Sequence, residues 1–251
     1  MSSEQKIAVA ASLRGDDDFR RQAVDAVIRK RFASRAFSQA SVSRQIVEEI
    51  LEVARFAPSG ANIQPWRVYA LSGAEKHRVS QALLTAHREA REQHSSEYQY
   101  YAPQLPEPYL SRREQFGRLF YGSLGIQQSD MAGRAAQTAK NYGFFGAPVG
   151  LIITIDRRLQ VGSWLDLGMF VQNVMIAAGA RGLQTCPQET FAKYHAVLRQ
   201  FLPMPAEEMV VCGMSLGFAE ESVARRGSLM PKASVSEFAE FLGFDQQPSN
   251  R

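Results

Sequence analysis

Residues 164–180, WLDLGMFVQNVMIAAGA, constrain the fold more than any other stretch of this 251-residue chain. The spacing predicts a helix, and apolar side chains occupy nearly every position around it, more than one core-facing stripe requires. Asp166, Gln172 and Asn173 interrupt the run, which marks a buried helix and not a membrane span. Such a helix needs cover on more than one side. A second subunit would supply it, and so would an interior position in a monomer; periodicity alone leaves both open.

The remaining elements are predicted around that helix. Val24, Val27 and Ile28 give a helix over 19–32, preceded by a polar, flexible lead-in at 1–18. Ile46, Ile50 and Val53, with Val47, Leu51 and Ala54 beside them, give a second helix over 44–56. WRVYAL (66–71) reads as a strand. Ser72 to Glu75 has the spacing of a capping box, opening a long polar helix that reaches about His94. Ser111 to Glu114 repeats the pattern and opens a helix through Tyr121. Between them lies a long loop rich in Tyr and Pro. GAPVGLIITI (146–155) is a buried strand and EMVVCGMSLGF (208–218) another, with a helix over 191–201 between them. Ser234 to Glu237 caps a short helix around Phe238, Phe241 and Leu242. Helices precede, separate and follow three or four strands, so the class is α+β, a sheet between helical layers in one domain over 19–251.

Composition narrows the function. The chain is 45% hydrophobic and 22% charged with a net charge of +4, ordinary for a soluble protein and weak as a nucleic-acid signal. Cys186 and Cys212 form no metal-binding spacing, and His77, His87, His94 and His195 form no ligand cluster, so no metal is expected. The N-terminus has no signal-peptide order and the expected location is cytoplasmic. Neither a dinucleotide-binding glycine fingerprint nor a phosphate loop occurs.

Two stretches carry chemistry. RKRFASRAF (29–37) places Arg31 and Arg35 around small Ala33 and Ser34, where both can converge on one anion. APSGANIQPW (57–66) combines Ser59 and Gly60, which permit close backbone approach, with Asn62 and Gln64, which complement a ring edge carrying C=O and N–H. Pro58 and Pro65 stiffen the loop.

RFASRAF, then a helix, then APSGANIQPW, resembles the FMN-dependent nitroreductase family. FFGAPVGLIIT, ARGLQTCPQ and VVCGMSLGF agree with it, and the likeness covers about residues 20–245, nearest the bacterial members acting on nitrobenzene- and nitrobenzoate-type compounds. The resemblance implies a nitroreductase-like fold, a central mostly antiparallel sheet flanked by helices, in an intertwined homodimer. It implies FMN as cofactor and NAD(P)H as co-substrate, NADPH ahead of NADH. Hydride would pass through flavin N5 by ping-pong exchange to a small nitroaromatic, reduced to nitroso and hydroxylamine.

By the same resemblance Arg31 contacts the FMN phosphate, and Arg35 lies by the N1/C2=O side of the flavin as an electrostatic group. Ala33 stands where a serine is common. Ser59, Gly60, Asn62 and Gln64 line the flavin, and Pro187 and Gln188 bring backbone towards N5. Lys232, or its rival Arg226, reaches the phosphate. Residues of about 95–125 form a lid over the flavin, with Tyr98, Tyr109, Arg112, Arg113, Phe116 and Phe120 facing the substrate. One alternative is a flavin reductase of the same fold acting on quinones, enals or another electrophile. A second is a basic, non-enzymatic nucleic-acid binder using Arg29, Lys30, Arg31 and Arg35.

Overall fold

The structure, a computed structural model, describes residues 3–226 and 230–244. Four strands form its centre: β1 (Arg67–Ser72), β2 (Val149–Asp156), β3 (Gln184–Gln188) and β4 (Glu208–Gly217). They lie in the order β1-β2-β4-β3, every pairing antiparallel. The helices are α1 (Ser3–Lys30), α2 (Arg44–Ala54), α3 (Gly73–Glu89), α4 (Tyr109–Ser123), α5 (Met131–Ala139), α6 (Val161–Gly179), α7 (His195–Leu198) and α8 (Glu221–Arg226).

The near-continuous apolar run of β2 follows from cover on both faces. Val149, Leu151, Ile153 and Ile155 pack with Val47 and Ile50 of α2 and with Leu167, Phe170 and Val174 of α6. Ile152 points the other way, among Val79 and Leu83 of α3 and the rings of Phe144 and Phe191. A Cβ at Gly150 would run into the Phe144 ring and one at Gly213 into Phe191, so these glycines let the second layer sit close on the sheet.

The ladder slips once, between Ile153 and Thr154: Ile153 faces Cys212 whereas Thr154 faces Val210. Val211 is the extra residue of this bulge, and the Tyr98 hydroxyl donates to its carbonyl at 2.6 Å. That bond pins the long 94–108 connection to the sheet.

Several boundaries differ from the sequence expectation. α1 begins at Ser3, ahead of the expected start at Phe19, so described residues of the expected lead-in are helical; residues 1 and 2 lie outside the described residues. Ser72 precedes α3 but its side chain makes no cap; Glu75 pairs instead with Arg78 at 3.2 Å. α3 ends at Glu89, short of His94. α4 starts at Tyr109, before Ser111, because the Pro106 carbonyl accepts the amides of Tyr109 and Leu110. The expected helix over 191–201 divides into a 3-10 turn, Glu189–Tyr194, and short α7. α5 was not expected: its Ala, Gly and Gln residues give little apolar contrast, and Asp130 caps it by accepting from the Gly133 amide at 2.8 Å. The Ser234–Glu237 capping box does form, around a single 3-10 turn.

α6 matches the expectation of a helix apolar all round. Leu167, Phe170, Val174 and Ala178 are buried against the sheet. Val161, Leu165 and Met169, at intervals of four, form a stripe that is 77%, 69% and 38% exposed. One face of the helix is therefore core, and the other is apolar surface.

Candidate active site

The segment after α1 is stitched to the sheet edge. Ala33 bridges Thr185 of β3 in parallel, the Ser34 amide donates to the Thr185 carbonyl at 3.1 Å, and the Ser38 amide donates to the Phe218 carbonyl at 2.8 Å. The Ser34 hydroxyl closes a local turn on the Ala36 carbonyl at 2.8 Å. Ser34 is fully buried on the sheet side, and Arg31, Ala33 and Arg35, with Phe32 and Ala36, line a cavity of about 370 Å³.

Four elements complete that cavity. α4 contributes Phe116, Phe120 and Ser123; Gln137 and Lys140 come from α5 and its end; Glu220 and Ser222 follow β4; Lys232 comes from the C-terminal segment. Arg35 lies over two rings, 4.5 Å from the Phe120 centroid and 5.5 Å from that of Phe116. Among the described residues Arg31, Arg35, Lys140 and Lys232 line the cavity with one carboxylate, Glu220, so it presents an excess of cationic donors. Both arginines also pull on the buried Cys186 thiol, although burial dominates and pushes it up to about 11.

None of residues 59–64 lines this cavity. The backbone of that loop is held by the Gly60 amide donating to Asp166 Oδ2 at 3.1 Å and by the Gln64 amide donating to Ser59 Oγ at 3.0 Å. Ala61, Asn62 and Gln64 have φ of 48°, 58° and 53°. Left-handed backbone at non-glycine residues costs on the order of 1–3 kcal/mol each and persists only where surroundings enforce it, a pattern concentrated at functional sites. Asn62 and Gln64 are exposed.

Pro187 is exposed, whereas the Gln188 side chain turns into the core. Its Oε1 accepts from Ser215 Oγ at 2.7 Å, and its Nε2 donates to the Asn141 carbonyl at 2.8 Å. The Pro187 ring and the backbone of this segment face outward.

The expected lid residues divide. Phe116 and Phe120 wall the cavity. Tyr98 does not: beyond its bond to Val211 it packs edge-on against Trp164, and burial raises its phenol. Arg112 pairs with Glu237 at 3.4 Å, and Arg113 lines a different cavity beyond α4. Tyr109, at the start of α4, is exposed. Arg226 ends α8, and its side chain lies outside what the structure describes. Sequence reasoning missed Lys140, Gln137 and Glu220 as cavity walls, and Asp166 as the loop's anchor. A lone carboxylate in an otherwise apolar helix was the available signal for Asp166.

Residues 28–218 match the Nitroreductase family, a span that takes in both the cavity segment and the strained loop. The chain belongs to the nitroreductase family. Among its relatives is a 4-nitrobenzoate reductase of Pseudomonas putida, 42% identical over 92% of this chain and 98% of the relative. A nitrobenzene nitroreductase of Ectopseudomonas oleovorans is 41% identical over 87% of this chain and 96% of the relative. Among solved structures, the FMN and NADPH-dependent nitroreductase NfnB of sphigopyxis sp. strain HMH superposes with a TM-score of 0.84 at 35% identity, covering 88% of this chain and 99% of that one. NfnB of Mycobacterium smegmatis, solved in complex with NADPH, superposes with a TM-score of 0.83 at 30% identity over 88% and 98%. The antiparallel sheet between helical layers is thus the nitroreductase fold, and its helical cover on both faces accounts for the apolar β2 run.

Proposed function

We propose that this chain is an FMN-dependent, NADPH-consuming nitroreductase that reduces small nitroaromatic compounds. The observation that carries the reading is the gathering of Arg31, Arg35 and Lys232 around one cavity, in a chain whose relatives are nitroarene reductases. The donor set fits FMN: clustered cations suit a phosphate, and the cavity volume lies in the range of ordinary ligand sites, roughly 300–1,000 Å³. When bound, FMN supplies the two-electron chemistry that links NADPH to the nitro group.

The protein's own residues bind and orient. Arg31 and Lys232 hold the phosphate. Arg35, steadied by Phe116 and Phe120, would hold a fixed cation beside the cofactor ring. Gln188, anchored by Ser215 and Asn141, presents outward backbone for the cofactor's reactive edge. Phe116 and Phe120 exclude water and stack on the substrate ring.

The working unit is a homodimer. The Val161, Leu165 and Met169 stripe, with exposed Phe56 and Ile63 near the strained loop, forms an apolar surface for a second copy. The 59–64 loop does not line the Arg31 and Arg35 cavity of its own chain, so in this reading it closes the cavity of the partner. Two free, buried cysteines suit a reducing cytoplasm. The test is direct. Purified protein should be yellow, release FMN on denaturation, and oxidise NADPH in the presence of nitrobenzene or 4-nitrobenzoate. Colourless protein that takes up no FMN on reconstitution would end the reading.

A further inference from the structure

A second cavity, of about 1260 Å³, lies between α4 and the segment that leads into α5. Phe116 lines it and also lines the first cavity, so the two share one wall. Like the first, it is rich in cations, here all guanidinium groups. Arg113, Arg118 and Arg134 line it against one carboxylate, Glu114, with Tyr121, Gln127, Gln128 and Ser129 around them. Arg118 reaches Glu114 only at 3.9 Å. Arg113 has no ion-pair partner among the described residues. Arg134 is held in place without being neutralised: its guanidinium lies 4.5 Å from the Tyr121 centroid and donates to the Gln128 carbonyl at 3.3 Å.

Guanidinium groups lining one cavity are an anion site in waiting, since their planar forks match phosphate oxygens. A neutral nitroarene offers nothing for them to bind. A nucleotide phosphate monoester brings a charge of about −1.5 to −2 at neutral pH. The volume exceeds the roughly 300–1,000 Å³ of ordinary ligand sites, ample for a nucleoside. Gln127, Gln128 and Ser129 add the neutral donors and acceptors that a base and ribose need.

We propose that this cavity receives the adenosine end of NADPH, with Arg113 and Arg134 on its 2′-phosphate. The inference rests on the proposed NADPH-consuming activity, whose nicotinamide end belongs at the first cavity across the Phe116 wall. Selection of NADPH over NADH then resides in α4 and α5, away from the residues assigned to FMN.

The test needs no turnover. Calorimetry on the FMN-loaded protein measures the binding of 2′,5′-ADP and of 5′-AMP to wild type, Arg113→Ala, Arg134→Ala and Arg113→Lys. Wild type should bind 2′,5′-ADP at least tenfold more tightly than 5′-AMP. Each alanine variant should weaken 2′,5′-ADP about tenfold and shift 5′-AMP less than twofold, with Arg113→Lys intermediate. The ratio of kcat/KM for NADPH to that for NADH should fall by the same factor, with flavin content and Tm reporting that each variant is folded. Equal binding of the two nucleotides by wild type, or equal weakening of both in the variants, overturns the site. So does a rise in KM confined to 4-nitrobenzoate, which would make the anion a substrate carboxylate. Protein that binds 2′,5′-ADP through Arg113 and Arg134 but never oxidises NADPH supports the site and overturns the proposed activity.

Discussion

The Gly60 amide donates to the Asp166 carboxylate at 3.1 Å, joining the strained loop after α2 to the first turns of α6. The bond spans 106 residues of sequence, and Asp166 is 8% exposed. It holds the loop while three of its residues occupy left-handed backbone. Asp166→Ala should lose this bond at a net cost of about 0.5–1.5 kcal/mol, because the exposed Gly60 can turn to water, and Asp166→Asn should recover most of it because the amide oxygen still accepts. Hydrogen exchange over residues 59–64 reads this locally. Unchanged protection in Asp166→Ala would mean the loop is held elsewhere.

Arg31 and Arg35 share a cavity but differ in surroundings, since only Arg35 lies over Phe116 and Phe120. Arg31→Ala should lose a charge-assisted phosphate contact of roughly 1.5–3 kcal/mol, about tenfold or more in FMN affinity. Arg35→Ala should keep more FMN and lower its two-electron midpoint potential, because a lost cation disfavours the more negative reduced form. Equal loss of FMN in both variants, with no change in potential, would collapse the distinction between them.

The cavity segment was legible because its pattern is local. Small Ala33 and Ser34 between Arg31 and Arg35 leave both cations free to converge, and both line one cavity. β2, β4 and α6 were legible for a related reason: burial on all sides leaves a continuous apolar run. What sequence hid depends on distant partners. Tyr98 looked like a lid residue, but the bulge at Val211 offers it a free carbonyl. Ser72 and Glu75 have capping spacing, yet Arg78 one turn on takes the glutamate. Arg112 looked available for a substrate, and Glu237 from the C-terminal turn occupies it.

The α6 stripe makes the oligomeric state testable. Leu165, 69% exposed, sits mid-stripe between Val161 and Met169. Leu165→Glu buries a charge in any interface formed there and should shift the protein to monomer in analytical ultracentrifugation, with loss of bound FMN. It should barely affect the fold of a chain that is monomeric to begin with. A stable, active, flavin-loaded monomer, in wild type or variant, would remove the dimer from the proposal.

Glu189 follows Gln188 and is half-buried, its Oε1 3.5 Å from the Ser96 hydroxyl. Burial holds its carboxyl above the ordinary value of 4.5, against a smaller opposing pull from Ser96. The folded state therefore binds this proton more tightly than the unfolded chain. Stability from this group falls as pH rises from 4.5 through the folded pKa, and above that the penalty is complete. Glu189→Gln removes it. The variant should be more stable than wild type near pH 7, and the gap in Tm should close as pH falls to about 4. A gap that stays constant across that range would show the residue is not titrating.

Phe116 and Phe120 stack on each other at 5.6 Å between centroids and wall the cavity that Arg35 enters. In the proposed enzyme they receive the nitroarene ring, a contact that makes no use of a carboxylate. Each alanine substitution should therefore lower kcat/KM for nitrobenzene and 4-nitrobenzoate alike, by about 0.5–1.5 kcal/mol or two- to tenfold. Arg112 is the control. Its partner is Glu237, both side chains are about half exposed, and such a pair is worth at most about 1 kcal/mol. Arg112→Ala should leave the ratio between the two substrates within twofold of wild type. A loss confined to 4-nitrobenzoate in that variant would mean Arg112 leaves Glu237 to clamp the substrate, and the aromatic wall would no longer account for substrate choice.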